Sequence, residues 1–139
     1  MNRNNINKVF YYTMSNWSLM TSTQKNLIEN SDYEPPSDSD WVRMTLGYGD
    51  TFPGELGGGI DWEAGIAFID VFVVKDKGDV AGNEYAESLR TLFKDNEISY
   101  TEGLTTYTVD CRNVDIEPLG VDGDFNHTQV RVYFYNFVS

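Results

Sequence analysis

Between Asn4 and Trp17 the apolar residues Ile6, Val9, Phe10, Met14 and Trp17 recur at steps of three and four. That spacing puts one stripe on a helix. Asn4 and Asn5 stand before the stripe as N-cap candidates, because an Asn side chain can accept a bond from a free first-turn N–H. Lys25 to Glu29 predicts a short strand. Pro35 and Pro36 then remove two backbone donors and force an extended loop, which the acidic run Asp38 to Asp40 keeps in water. From Trp41 the period becomes two: Val42, Met44 and Leu46 alternate with Trp41, Arg43 and Thr45, predicting a strand with one wet face. The run from Ile66 to Val74 is too continuously apolar for that, and predicts a strand covered on both faces over its second half. Ala86, Leu89, Leu92 and Phe93, with Tyr85 beside them, form a second helical stripe. Asp79 is its candidate cap, Glu87 and Arg90 an exposed i,i+3 pair, and Asn96 its stop. Two long strands follow, Thr105 to Glu117 and Thr128 to Phe137, around a turn-rich loop "PLGVDGDFNH". In the first of them the apolar spacing slips by one residue between Cys111 and Val114, which predicts a β-bulge near Arg112 or Asn113. The order of elements gives an α+β class, with a mostly antiparallel sheet of long hairpins packed against two helices in a single domain.

Composition narrows the partners. A chain of 139 residues is the size of one domain and buries enough surface to need neither a disulfide nor a metal. Eight Phe, nine Tyr and three Trp exceed what one small core holds, so some aromatics are expected at an interface. The net charge of −12 comes from 22 acidic against 10 basic residues. It argues against gripping nucleic acid by counterion release and against an anionic membrane as partner. Cys111 is the only cysteine, so no intrachain disulfide forms. The first residues lack the pattern of a signal peptide, and no apolar run approaches the ~20 residues of a membrane span. The expectation is a soluble protein made and used in a cytoplasm.

The stretch "GDTFPGELGGG" at 49–59 raises phosphate binding. A phosphate cradle needs a helix immediately after it and a nearby cation. This loop runs from strand to strand and carries Asp50, Glu55 and Asp61 instead. It reads as a long hairpin connection, and such loops commonly have a role of their own. The expected role is an arm that orders on a partner through Asp50, Phe52, Leu56, Gly57, Gly58, Gly59, Ile60 and Trp62. "DGDFN" sets Asp122, Asp124 and Asn126 at alternate positions as in a calcium loop, but His127 stands where Gly is required and Tyr133 where Glu is required. His127 is the only histidine, and no nucleophile-elbow motif accompanies it. Cys111, beside Asp110 in mid-strand, reads as a buried inert thiol. Asp115 and Glu117 share a strand face as a solvated acid pair. Trp41 and Trp62 bracket the glycine hairpin, as a ligand platform or as a cross-strand pair that closes it. No residue is assigned a catalytic, cofactor-binding or metal-binding role, and the expectation is a protein that is not an enzyme.

"YEPPSDSDWVRMTLGYGDTFPGELGGG", "GIAFIDVFVV", "GNEYAESLRTLF" and "VDIEPLGVDGDFNHTQVRVYFYNF" follow one another in an order and spacing that resembles the tail terminator-like family of long-tailed bacteriophages. The resemblance runs from about Asn4 to Phe137. It implies that residues 1–139 are a single tail-terminator-like domain with no catalysis and no cofactor. It implies six copies in a ring that caps the tail tube, ends polymerisation of the tail tube protein and joins a head–tail connector protein. The chain would then reside in the virion, at the junction of tail and neck, after assembly in the host cytoplasm. DNA would pass through without specific binding, which gives the acidic composition a role. Asp38, Asp40, Asp122 and Asp124 are the candidate channel carboxylates. Two alternatives stand beside this reading: a connector or stopper ring of the neck, and a small metal-dependent hydrolase using Asp122, Asp124 and His127.

Overall fold

The computed structural model describes residues 3–17, 26–28, 40–53, 61–75 and 78–138. Helix α1 spans Arg3–Ser15, strand β1 Asn26–Ile28, β2 Trp41–Pro53, β3 Asp61–Val74, helix α2 Gly78–Phe93, β4 Asn96–Glu102, β5 Thr105–Asp122 and β6 Phe125–Val138. The strands form one sheet in the order β1-β2-β3-β6-β5-β4. Every neighbouring pair is antiparallel except β1 with β2. Helix α2 carries the chain from β3 over β6 and β5 to the far edge, and β4, β5 and β6 then return as a meander. This is the expected α+β class.

Both helices lie on one face of the sheet. The α1 stripe Ile6, Val9, Phe10 and Met14 is fully buried, as are Ala86, Leu89 and Phe93 of α2. They meet the inward residues of the strands, among them Val42, Met44, Ile69, Val71, Val109, Val130 and Val132, in one continuous core. Phe10 sits at its centre, with ring centroids 5.9 Å from Phe93 and 4.9 Å from Phe134. Each fully buried ring contributes about 1.5–3 kcal/mol of burial free energy. Asn96 ends α2 as expected: its Nδ2 donates to the carbonyls of Thr91 and Leu92. Asp95 takes the left-handed conformation that turns the chain out of the helix, at φ 55°. Asp79 lies inside the first turn of α2 rather than ahead of it.

Several expectations for the strands change. Residues 96–102, not assigned to a strand from sequence, form β4. Only Ile98 among them is buried, so an edge strand with polar neighbours leaves little periodic signal. The register slip in β5 falls between Cys111 and Asn113, as the apolar spacing predicts, and a second lies between Pro118 and Gly120. The long loop expected at 118–127 is mostly strand. Asp122 pairs with Phe125 across the two residues Gly123 and Asp124, and Gly123 at φ +60° is suited to the first position of a type II′ turn. Likewise, the glycine hairpin is paired further than expected, through Thr51–Glu63, Phe52–Trp62 and Pro53–Asp61. Among the described residues, no helix is long and apolar enough to cross a membrane.

Candidate functional site

The helices cover one face of the sheet, and the alternate residues of β2, β3, β6 and β5 form the other. Pairing places them in rungs. Trp41, Phe72 and His127 make the first; Arg43, Asp70, Gln129 and Glu117 the second; Thr45, Phe68, Arg131 and Asp115 the third; and Gly47, Ile66, Tyr133 and Asn113 the fourth. This explains the nearly continuous apolar run of β3, which only Asp70 interrupts between Ile66 and Val74. Its second half is covered on both faces, but Asp70 and Phe72 are buried by neighbouring side chains rather than by a helix.

The first two rungs hold a polar and aromatic cluster around Asp70 and Phe72. Phe72 is stacked between Trp41, at 4.0 Å between centroids, and His127, at 4.3 Å. Phe125 packs edge-on against both Trp41 and Phe72. Beside the stack Asp70 is only 4% exposed. Its carboxylate lies 2.7 Å from His127 Nε2 and accepts bonds from Gln129 Nε2 at 3.2 Å and Arg43 Nη2 at 3.4 Å. A buried carboxylate requires such partners, because an unpaired one would be costly to remove from water. Sequence inspection missed Asp70, since one acid in "FIDVFVV" carries no signal of its cross-strand partners. A His–Asp pair suggests a catalytic relay, but among the described residues no hydroxyl or thiol is bonded to the other imidazole nitrogen. The indole N–H of Trp41 is buried, with no acceptor among the described residues.

The rungs nearest the glycine hairpin differ. There Gly47, Gly49 and Ala64 present no large side chain, and Ile66, Phe68, Tyr133 and Tyr135 wall an apolar groove of about 410 Å³. Arg131 and Arg112 stand along one rim, paired with Glu117 and Asp110, and Arg43 lies one rung away. The bonded carboxylate of Glu117 raises the Arg131 guanidinium further above its ordinary value.

The sequence-derived candidates scatter over this frame. Asp40 is corrected. It is 5% exposed rather than wet, because its carboxylate accepts the Val74 N–H at 2.9 Å and the Tyr85 hydroxyl at 3.0 Å, tying β2 to β3 and α2. It is removed from the channel candidates. Asp122 and Asp124 are exposed at the β5–β6 turn, and Asp38 lies outside the described residues. Of the arm, Asp50, Phe52 and Trp62 lie on the paired strands β2 and β3, and Leu56, Gly57, Gly58, Gly59 and Ile60 lie outside the described residues. Trp41 and Trp62 do not form one platform, since Trp41 pairs with Phe72 and Trp62 with Phe52. Cys111 is fully buried. Desolvation, with Asp110 adding to it, pushes its thiol up to about 12. Among the described residues, no group of three His, Cys, Asp or Glu is placed to hold a metal.

No protein-family profile and no curated protein matches the chain. Solved structures do. One, which carries only a serial designation, is 20% identical with a TM-score of 0.71, over 100% of this chain and 97% of that one. The likeness is one of fold. A shared backbone at that identity transfers no chemistry, so the function is argued from the surface itself.

Proposed function

We propose that this chain is a structural subunit of a phage tail, a terminator that assembles as a ring of six on the tail tube, ends its growth and joins the head–tail connector. The observation that carries the reading is the order of elements. The described parts of the segments that carry the resemblance are β2, β3, α2 and the β5–β6 hairpin, which follow one another in that order. A sheet whose described helices lie on one face, with an apolar groove on the other and exposed Leu119 and Val121 at the end of β5, supports a subunit made for contact with neighbours. The exposed acids of that turn and the net charge of −12 suit a channel that DNA traverses without sticking.

The test is electron microscopy of tails assembled with the chain intact, deleted, or shortened at residues 55–59 to a two-residue turn. The intact chain should appear as a sixfold ring at the head-proximal end of the tube. Deletion should leave tubes of uncontrolled length or tails that fail to join heads, and the shortened chain should fold and fail in the same way. A reconstruction with this chain in one copy or as a twofold dimer, or a narrowest channel ring lined by Lys and Arg, would refute the reading.

A further inference from the structure

Strand β4 ends the sheet, and among the described residues nothing pairs with its outer side. Sheet edges are usually blunted by a lysine, a proline, a bulge or short length. β4 has none of these. Asn96–Glu102 is seven residues long, holds no Pro, Gly, Lys or Arg, and pairs with β5 from Asn96–Cys111 to Glu102–Thr105 without a shift of register. The turn fixes which of its backbone groups are free. Glu102 and Thr105 close a two-residue loop and so exchange both of their hydrogen bonds. Such positions alternate along an antiparallel pair. Asn96, Ile98, Tyr100 and Glu102 therefore bond to β5, and Glu97, Ser99 and Thr101 turn their N–H and C=O groups outward. The side chains agree: hydroxyl bonds of 2.9 Å join Ser99 to Thr108 and Thr101 to Thr106, across the closer, non-hydrogen-bonded pairs.

These three residues select their own partner. In an antiparallel copy of β4 centred on Ser99, Ser99 meets its counterpart and Glu97 meets Thr101 of the other copy. Every outward group then finds one to bond, in about six hydrogen bonds, two for each of three pairs. The faces match as well. The exposed Glu97, Ser99 and Thr101 stay on one side, and Ile98 falls opposite Tyr100 on the other. No acid faces an acid, since Glu102 falls opposite Asn96. Centring on Ile98 or Tyr100 instead keeps only about four of the bonds. Beside this edge Tyr12, 48% exposed, packs on Tyr100 at 5.0 Å between centroids, an aromatic side chain that a paired copy would cover. We infer that two copies of the free chain join β4 to β4 about a twofold axis at Ser99, making their sheets continuous. The same patch serves both copies, so the contact closes at two. The inference goes beyond the ring reading above. It concerns the chain before assembly, and the pair would open when a ring of six forms on the tube.

Sedimentation velocity of the full chain from micromolar to millimolar concentration tests it. Wild type should form dimers. Ser99→Lys and Ser99→Glu each set like charges against each other at the axis, and each should weaken the dimer at least about tenfold. An equal mixture of the two should restore it, because opposite charges then meet, a rescue available only to a residue that faces its own counterpart. Circular dichroism checks that both variants fold. If either does not, Thr101→Glu, which sets an acid opposite Glu97 of the other copy, supplies the loss, and Thr101→Glu with Glu97→Lys supplies the rescue. Val121→Asp, at the other hairpin, should change nothing. The inference is overturned if wild type is monomeric throughout, if the single-charge variants associate as wild type does, if the rescue fails while wild type dimerises, or if Val121→Asp abolishes association. None of these outcomes touches the ring reading, which images of the assembled tail decide.

Discussion

Gly65 on β3 is expected to be the least tolerant glycine among the described residues. A Cβ there would lie 2.4 Å from Phe134 Cζ and 2.7 Å from the Gly47 carbonyl oxygen, against an optimal carbon–carbon separation of about 3.5–4.0 Å. Neither neighbour can yield freely. Phe134 is fully buried, with Phe10 at 4.9 Å and Tyr48 at 6.1 Å between ring centroids, and the Gly47 oxygen belongs to the backbone of β2. Overpacking of this kind costs about 1–3 kcal/mol. The smaller entropy loss of Ala relative to Gly offsets about 0.4–1 kcal/mol of it. Gly65→Ala should therefore lower the urea midpoint without changing the slope of the transition, and lower Tm by a few degrees per kcal/mol. Gly82→Ala is the control. Its Cβ would meet only Thr128 Oγ1, at 3.6 Å, within helix α2, so it should stabilise by about 0.5–1 kcal/mol. Phe134→Leu should relieve the clash, so Gly65→Ala should cost less in that background, with a coupling of about 0.5–3 kcal/mol. Full stability of Gly65→Ala, or strict additivity with Phe134→Leu, would refute the packing of β2, β3 and β6 at this point.

Two further outcomes concern buried polar groups. Tyr85→Phe removes one bond to Asp40 and should cost about 0.5–1.5 kcal/mol, and Asp40→Ala, which also leaves the Val74 N–H without its acceptor, should cost more, by about 1–3 kcal/mol; equal midpoints in urea for both would contradict this. The Cys111 thiol is pushed from 9.0 up to about 12, so above pH 9 the unfolded chain releases a proton the folded chain keeps, and stability falls by up to about 1.4 kcal/mol per pH unit between pH 9 and 12. Urea midpoints measured across that range should fall less steeply for Cys111→Ala, and native wild type should resist thiol reagents at pH 8.

Periodicity alone located both helices, the core stripe of β2 and the slip in β5, because one buried face imposes a period of 3.6 or 2 on the residues that fill it. Elements with a weak apolar period were harder to recognise. β4 buries only Ile98, and the ends of β5 and β6 run on through glycines and acids held by backbone pairing, which side-chain pattern does not record. The same limit applies to the surface. The acidic balance and the aromatic surplus are properties of the list of residues. That Asp40 is buried, that Asp70 gathers Arg43, His127 and Gln129, and that Gly47, Ala64 and Tyr135 share one groove depend on strands brought together from distant parts of the chain. Local composition marks a residue as polar or small. The side chain placed opposite it across the sheet decides whether that residue is a surface charge, a buried anchor or the floor of a groove, because register sets which groups lose water together.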